Sequence, residues 1–282
     1  MIKTKEKAAE IIFFILAAAS VLSVALICIF LFAGGIPAMF EIGIPNFIFG
    51  MEWRPKSHGL FGIFPMVTAT LLATSGALLF AVPVGILTAI FLVKFCNKKI
   101  QNVLSPMVSL LAAIPSVVYG FFGIVVVAPI IGELFGGSGR SLLAAIIILA
   151  IMILPTIITV SQAAIRAVPE IYYEGALALG ASKEESVFFA TLPAAKSGII
   201  AAVVLGLGRC VGETMAVIMV AGNQVRIPGG LFDGVRTLTA NIVLEMGYAE
   251  GLHRDALIAT AVILFVFILL INFTFSMLKK RI

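Results

Sequence analysis

An all-α, polytopic membrane protein with about six transmembrane helices follows from three features of the 282-residue sequence. Hydrophobic residues make up 61% of the chain and charged residues 12%, about half the charged fraction of a soluble domain. Mean hydropathy is +1.18. Several apolar runs reach about 20 residues, enough to cross about 30 Å of hydrocarbon at about 1.5 Å per residue. A transmembrane β-barrel would need alternating runs of about 10 residues, and the sequence shows no such pattern. The chain reads as a single transmembrane domain, 1–282, with the lipid bilayer as its first partner.

The first span is expected over residues 11–33, after Lys3, Lys5 and Lys7. It is longer than the roughly 7–15 apolar residues of a signal peptide, so it reads as uncleaved. Residues 34–60 read as a loop with three prolines and Trp53, whose ring suits a membrane–water interface. The second span covers about 61–93, with Pro65 and Pro83 inside, and Lys94, Lys98 and Lys99 follow. The third covers about 103–131, and a Gly-rich turn leads through Arg140 to the fourth, 141 to about 164. A polar block, about 166–196, separates it from the fifth span, about 197–222. A loop of roughly 30 residues precedes the sixth span, about 256–278, and Lys279, Lys280 and Arg281 close the chain.

Six spans put both termini on one side, and charge says which. Twelve of the 19 Lys and Arg residues fall on the side of the termini and the polar block, six fall opposite, and Arg209 lies within a span. The positive-inside rule therefore places both termini and residues 166–196 in the cytoplasm. The net charge of +5 concerns topology, and no nucleic-acid partner is expected. Cys28, Cys96 and Cys210 lie far apart without a CxxC, so neither disulfides nor structural zinc are expected.

The polar block reads as two short helices. Pro169 suits a first helical turn, and good helix formers follow to Leu179. Gly180 can end that helix because it accepts a positive φ. Ser182 with Glu185 three residues on predicts a capping box, and the second helix is expected to end before Pro193. Gly175-x4-Gly180 mimics the start of a P-loop, but Ala181-Ser182 follows where Lys-Ser/Thr is required and no strand precedes it. The chain is therefore not expected to bind ATP, nor to be an enzyme.

Arg209 and Glu213 sit near the middle of the fifth span. Each charge would cost about 2.5–3.5 kcal/mol at the bilayer centre, and such residues face the bundle interior and pair. Their i,i+4 spacing puts both on one helix face. Two readings stand: a buried structural ion pair, or a site on a pathway for an anion, whose oxygens the Arg fork suits. Gly208 and Gly212 form a small-xxx-small pattern that admits a close helix.

The spacing Glu174-x-Ala176-x3-Gly180-x9-Ala190-x-Leu192-Pro193 resembles the EAA motif of ABC-importer permeases. Gly175 and Ala190 depart from its common form, Glu-Ala-Ala-x3-Gly-x9-Ile-x-Leu-Pro. Four further stretches are similar to the C-type permease subunit of Pst phosphate importers. They are Trp53-Arg54-Pro55 with Phe61-Gly-Ile-Phe-Pro65, Ala81-Val-Pro-Val-Gly85, Ala113-Ile-Pro-Ser-Val-Val-Tyr-Gly120, and Gly208-Arg-Cys-Val-Gly-Glu-Thr-Met-Ala-Val217. The resemblance covers about 50–225.

That resemblance implies a type I ABC-importer permease (MetI-like) fold in the plasma (inner) membrane of a prokaryote. It implies that Glu174, Ala176, Gly180, Leu192 and Pro193 couple the chain to a separate ATPase, and that Arg209 and Glu213 line the phosphate pathway. The implied partners are a second, A-type permease subunit, two ATP-binding subunits and an extracytoplasmic phosphate-binding protein. No cofactor is expected on this chain, and ATP and Mg belong to the partner ATPase. Two rivals remain: an ABC permease for tungstate, sulfate or an amino acid, and an ion-coupled secondary transporter. An intramembrane enzyme would need a nucleophile–base set or metal ligands at depth, where the sequence offers only Arg209 and Glu213.

Overall fold

The computed structural model describes residues 2–280; Arg281, counted above among the basic residues at the C-terminus, lies outside the described residues, as do the side chains of Lys3, Lys5, Lys279 and Lys280. Helix α1 (Ile2–Ile42) leads to α2 (Ile44–Phe49). A small antiparallel hairpin pairs β1 (Trp53–Arg54) with β2 (Leu60–Phe61) across the one-turn helix α3 (Pro55–His58). Then come α4 (Phe64–Ile90), α5 (Lys98–Ala112), α6 (Ser116–Phe122), α7 (Ala128–Phe135) and α8 (Leu142–Arg166). The second half holds α9 (Ile171–Ala178), α10 (Lys183–Glu185), α11 (Leu192–Gly212), α12 (Met215–Val220), α13 (Leu238–Met246) and α14 (Leu252–Lys280). π-turns at Phe91–Phe95, Gly123–Val127 and Ser186–Thr191 extend or join these helices.

Among the described residues, six helical stretches are long and apolar enough to cross a membrane. They are Glu10–Ile42, Phe64–Phe95, Ser116–Phe135, Leu142–Arg166, Lys183–Gly212 and Leu252–Phe275. Helix α8 is the central one: Ile148, Leu149, Met152, Ile153 and Ile157 are fully buried. Helix α4 packs on it through Ala69, Ala73, Ala77 and Ala81, one per turn and all buried. Small residues at this spacing let two backbones approach, which is what drives helix association where lipid is as apolar as the side chains. A Cβ on Gly85 would lie 2.7 Å from Ile157 Cγ2. Helix α1 packs mainly on the flank of α14, and its Phe13, Phe14 and Val21 are exposed as a lipid-facing surface requires.

Four expectations need correction. The region 34–60 is not all loop, because α1 runs on to Ile42 through Pro37 and α2 follows. The span expected at 103–131 is divided: α5 stops at Ala112, and the crossing segment starts beyond Pro115, at Ser116. Helix α5 is amphipathic, with Ile100, Val103, Met107 and Leu110 exposed along one side, so hydropathy alone merged it with the span. The fifth span begins at Lys183 rather than 197, and breaks after Gly212. The loop before the sixth span contains α13, whose Leu238, Thr239, Ala240 and Asn241 are buried.

Candidate functional site

The polar block folds largely as its residues dictate. Gly180 has φ +92, and nothing lies within 4 Å of a Cβ built there, so its backbone conformation and not space demands glycine. The Gly180 N–H donates to Leu177 O at 2.9 Å and the Ala181 N–H to Ala176 O at 3.1 Å, a Schellman closure of α9. The capping box forms in both directions: Glu185 N–H to Ser182 Oγ at 3.2 Å and Ser182 N–H to Glu185 Oε2 at 2.8 Å. The second helix does not end before Pro193. It passes through the π-turn at Ser186–Thr191, where Leu192 N–H reaches back to Val187 O, and continues as α11. The wider turn absorbs the disruption of a proline, which brings no N–H to the helix.

Glu174 is exposed on α9, Ala176 and Leu192 are half-buried, and Gly180 and Pro193 are exposed. Around them Leu179 is 92% and Phe189 81% exposed, flanking a cleft of about 490 Å³ lined also by Ala176, Gly180 and Glu185. Two large apolar side chains, Leu179 before the fifth span and Phe189 at its start, stand bare around a polar turn, a mark of an interaction surface. Lys94, at the end of the second span, anchors the block: its Nζ lies 3.0 Å from the Glu170 carboxylate and 4.7 Å from the Tyr173 ring centre.

Arg209 and Glu213 are placed differently from the sequence expectation. The helix ends between them, at Gly212, and Glu213 takes an extended backbone (φ −69, ψ 132). Among the described residues they form no ion pair. Arg209 Nη1 donates to Thr156 Oγ1 on α8 at 3.1 Å. Glu213 Oε1 accepts the Ala216 N–H of α12 at 3.1 Å, and the Glu213 carbonyl accepts the Thr239 hydroxyl of α13 at 2.9 Å. Thr70 of α4 in turn accepts the Leu238 N–H at 3.1 Å. The break is thus held open by two neighbouring helices. Motif spacing gives no sign of it, since Glu213 and Thr214 carry no helix-breaking side chain.

A second interruption, at Pro115, lies beside the first. Tyr119 bridges it by donating to Leu111 O at 2.8 Å. Helix α6 packs on α12 so closely that a Cβ on Gly120 would lie 2.9 Å from Ala216 Cα. Irregular backbone at membrane depth persists only where protein covers it or a water-filled path runs past it. Gly208 and Gly212 meet nothing within 4 Å of an added Cβ, so among the described residues no other helix covers that stripe.

On the face opposite α9, sequence reasoning missed a polar cluster centred on Glu245. Its carboxylate accepts Trp53 Nε1 at 2.8 Å and Arg236 Nη1 at 2.6 Å, and lies 2.9 Å from His253 Nε2. Trp53 is buried in protein rather than seated at a lipid interface, and His253, in the first turn of α14, is buried too. Burial and the nearby Glu245 carboxylate push the Tyr248 phenol above its usual pKa. In the sequence only a lone carboxylate in the apolar run Ile242–Met246 marks this site, and that signal is weak.

The chain is a bundle around one central helix, with a span that breaks after Gly212 beside the Pro115 interruption and a protruding capped helical block. The profile of the family described as "Binding-protein-dependent transport system inner membrane component" matches residues 81–282. The chain is 37% identical over 263 residues to a probable ABC transporter permease protein, YqgH, of Bacillus subtilis, covering 90% of this chain and 85% of that one. It is 36% identical over 266 residues to the phosphate transport system permease protein PstC of Mesorhizobium japonicum, covering 87% and 81%. Among solved structures it resembles a bacterial alginate ABC transporter chain (TM-score 0.62, 19% identity, 95% of this chain and 96% of that one). The MetNI methionine ABC transporter is also similar (TM-score 0.60, 22% identity, 78% and 94%). The chain belongs to this family of importer permeases and, within it, groups with the PstC-type permeases.

Proposed function

We propose that this chain is one permease half of an ATP-driven phosphate importer in the plasma membrane of a prokaryote. The observation that carries the reading is Arg209: a cation at a broken span, tethered by a neutral threonine and not neutralised by Glu213. A guanidinium with N–H groups to spare is suited to phosphate oxygens. The relatives named as phosphate transport permeases support the choice of anion.

The uncovered stripe at Gly208 and Gly212 is where a second, A-type permease subunit closes the pathway. The block around Glu174, Ala176, Gly180, Leu192 and Pro193 lies in the cytoplasm and docks one of two ATP-binding subunits through Leu179 and Phe189. ATP is bound there with Mg and hydrolysed, and no cofactor is expected on this chain. A phosphate-binding protein delivers the anion to the opposite face. ATP-driven movement of the block then alternates access to Arg209. Purified complex, reconstituted with its binding protein, tests the reading: phosphate stimulates ATP hydrolysis, whereas tungstate, sulfate and amino acids do not. Stimulation by one of those solutes in place of phosphate refutes it.

A further inference from the structure

No proline lies between Pro193 and Pro228, yet the fifth span breaks after Gly212. Both oxygen-bearing groups of Glu213 are engaged in the broken form. In a continuous helix the Glu213 carbonyl would accept the Val217 N–H, four residues on. Here the Thr239 hydroxyl donates to it at 2.9 Å, while the Glu213 carboxylate takes the Ala216 N–H at 3.1 Å. Thr239 is itself fixed. Its one proton goes to Glu213, so its 3.1 Å contact with Thr237 Oγ1 uses the proton of Thr237, which also accepts the Ala240 N–H at 3.3 Å. The Leu238 N–H between them is bound to Thr70 of α4 at 3.1 Å, and Thr70 donates in turn to Met66 O at 2.7 Å. Thr70, Thr237 and Thr239 are all buried. This chain of directed bonds keeps apart two charges that the sequence sets in register. At i,i+4 on an unbroken helix Arg209 and Glu213 would meet, but Arg209 Nη1 turns instead to Thr156.

We propose that Thr239 is a positioning residue for the anion site. By holding the Glu213 carbonyl it keeps the Glu213 carboxylate from Arg209; when that bond is released the helix re-forms and the carboxylate displaces the anion. The proposal rests on the pathway role of Arg209 and supplies the step by which the anion leaves. A carboxylate and a phosphate compete for the same guanidinium donors. The broken span is therefore the form that binds, and the continuous span the form that releases. One neutral hydrogen bond biases such an equilibrium by about 2- to 10-fold, enough to set the resting form without locking it.

The test measures binding of radiolabelled phosphate to the purified, nucleotide-free complex, with uptake into liposomes as a check on the importer. Thr239→Val, which removes the hydroxyl and keeps the branched shape, is expected to weaken binding about 3- to 10-fold, about 1.4 kcal/mol at the upper end. Thr239→Ser retains the donor and should stay within twofold of wild type. Glu213→Gln, which has no competing carboxylate, should bind at least as tightly as wild type, and adding Thr239→Val to it should change binding less than twofold. A merely structural hydroxyl would cost the same in both backgrounds, and that result overturns the proposal. Loss of binding in Glu213→Gln, binding by Thr239→Val within twofold of wild type, or a wild-type complex that imports phosphate without binding it saturably also overturns it. If the valine variant does not assemble, Thr239→Cys, a weaker donor of similar size, carries the same comparison. A wild-type complex that imports no phosphate with its binding protein present refutes the importer reading instead.

Discussion

Arg209→Ala removes the cation at the break while leaving the helix on either side intact. The guanidinium spends one N–H on Thr156 Oγ1, which leaves its remaining donors for the proposed anion. A hydrogen bond to a charged group contributes about 1.5–3 kcal/mol, so a bidentate phosphate contact is about 3–6 kcal/mol. At about 1.4 kcal/mol per tenfold, kcat/KM for uptake should fall by about 10²–10⁴. Arg209→Lys keeps the charge but loses the fork, and should fall between the variant and wild type. Thr156→Val removes only the tether, a bond from a charged donor of about 1.5–3 kcal/mol, and should cost about 10- to 100-fold. The assay is radiolabelled phosphate uptake into liposomes carrying the assembled complex, with ATP hydrolysis followed in parallel. Uptake by Arg209→Ala within twofold of wild type, in a fully assembled complex, refutes the pathway role.

Gly180→Pro removes the N–H that closes α9 and cannot reach φ +92. That variant and the charge reversal Glu174→Lys should uncouple ATP hydrolysis from uptake while the spans stay inserted, as co-purification with the ATPase and an uptake assay will show. Glu245→Ala leaves Arg236 without its buried carboxylate partner and should cost about 3–5 kcal/mol, against about 1–3 for Trp53→Phe, which loses one donor and keeps most of the ring. Thermal unfolding in detergent ranks the two. Gly120→Val drives a side chain into the Ala216 backbone and should cost about 1–3 kcal/mol, with uptake falling more than complex assembly, because it parts the two broken helices.

The membrane architecture was legible because burial in lipid leaves a one-dimensional signal: long apolar runs, read without knowledge of neighbours. The capped block was legible for a similar reason. Ser182, Glu185 and Gly180 act on backbone groups within a few residues of themselves, and the bonds they form are those their spacing requires. The breaks were not legible. Glu213 leaves the helix because Thr239 and the Ala216 N–H, far away or beyond the break, satisfy its backbone and side chain. A tertiary hydrogen bond of that kind has no local cause. For the same reason Pro193, which reads as a terminator, sits inside a continuous helix once a π-turn precedes it. Glu245 illustrates the limit most plainly, since its partners come from three separate segments, at Trp53, Arg236 and His253.

The two halves of the site meet along one rod. From Lys183 the chain runs helically to Gly212, with Phe189 near the start and Arg209 near the end. Twenty-odd residues at about 1.5 Å each make the separation about 30 Å, the thickness of the hydrocarbon core. A partner that grips Phe189 and Leu179 therefore holds the near end of the helix that carries Arg209. The rod has one soft joint, the π-turn at Ser186–Thr191, and it ends at a break that Thr239 ties to α13. In the proposed importer, motion of the capped block reaches Arg209 by tilting a stiff helix between those two points. Glu213 sits beyond the break, so it need not follow. In the proposed importer the distance between Arg209 and Glu213 is expected to change through the cycle, which no helix carrying both on one face would permit.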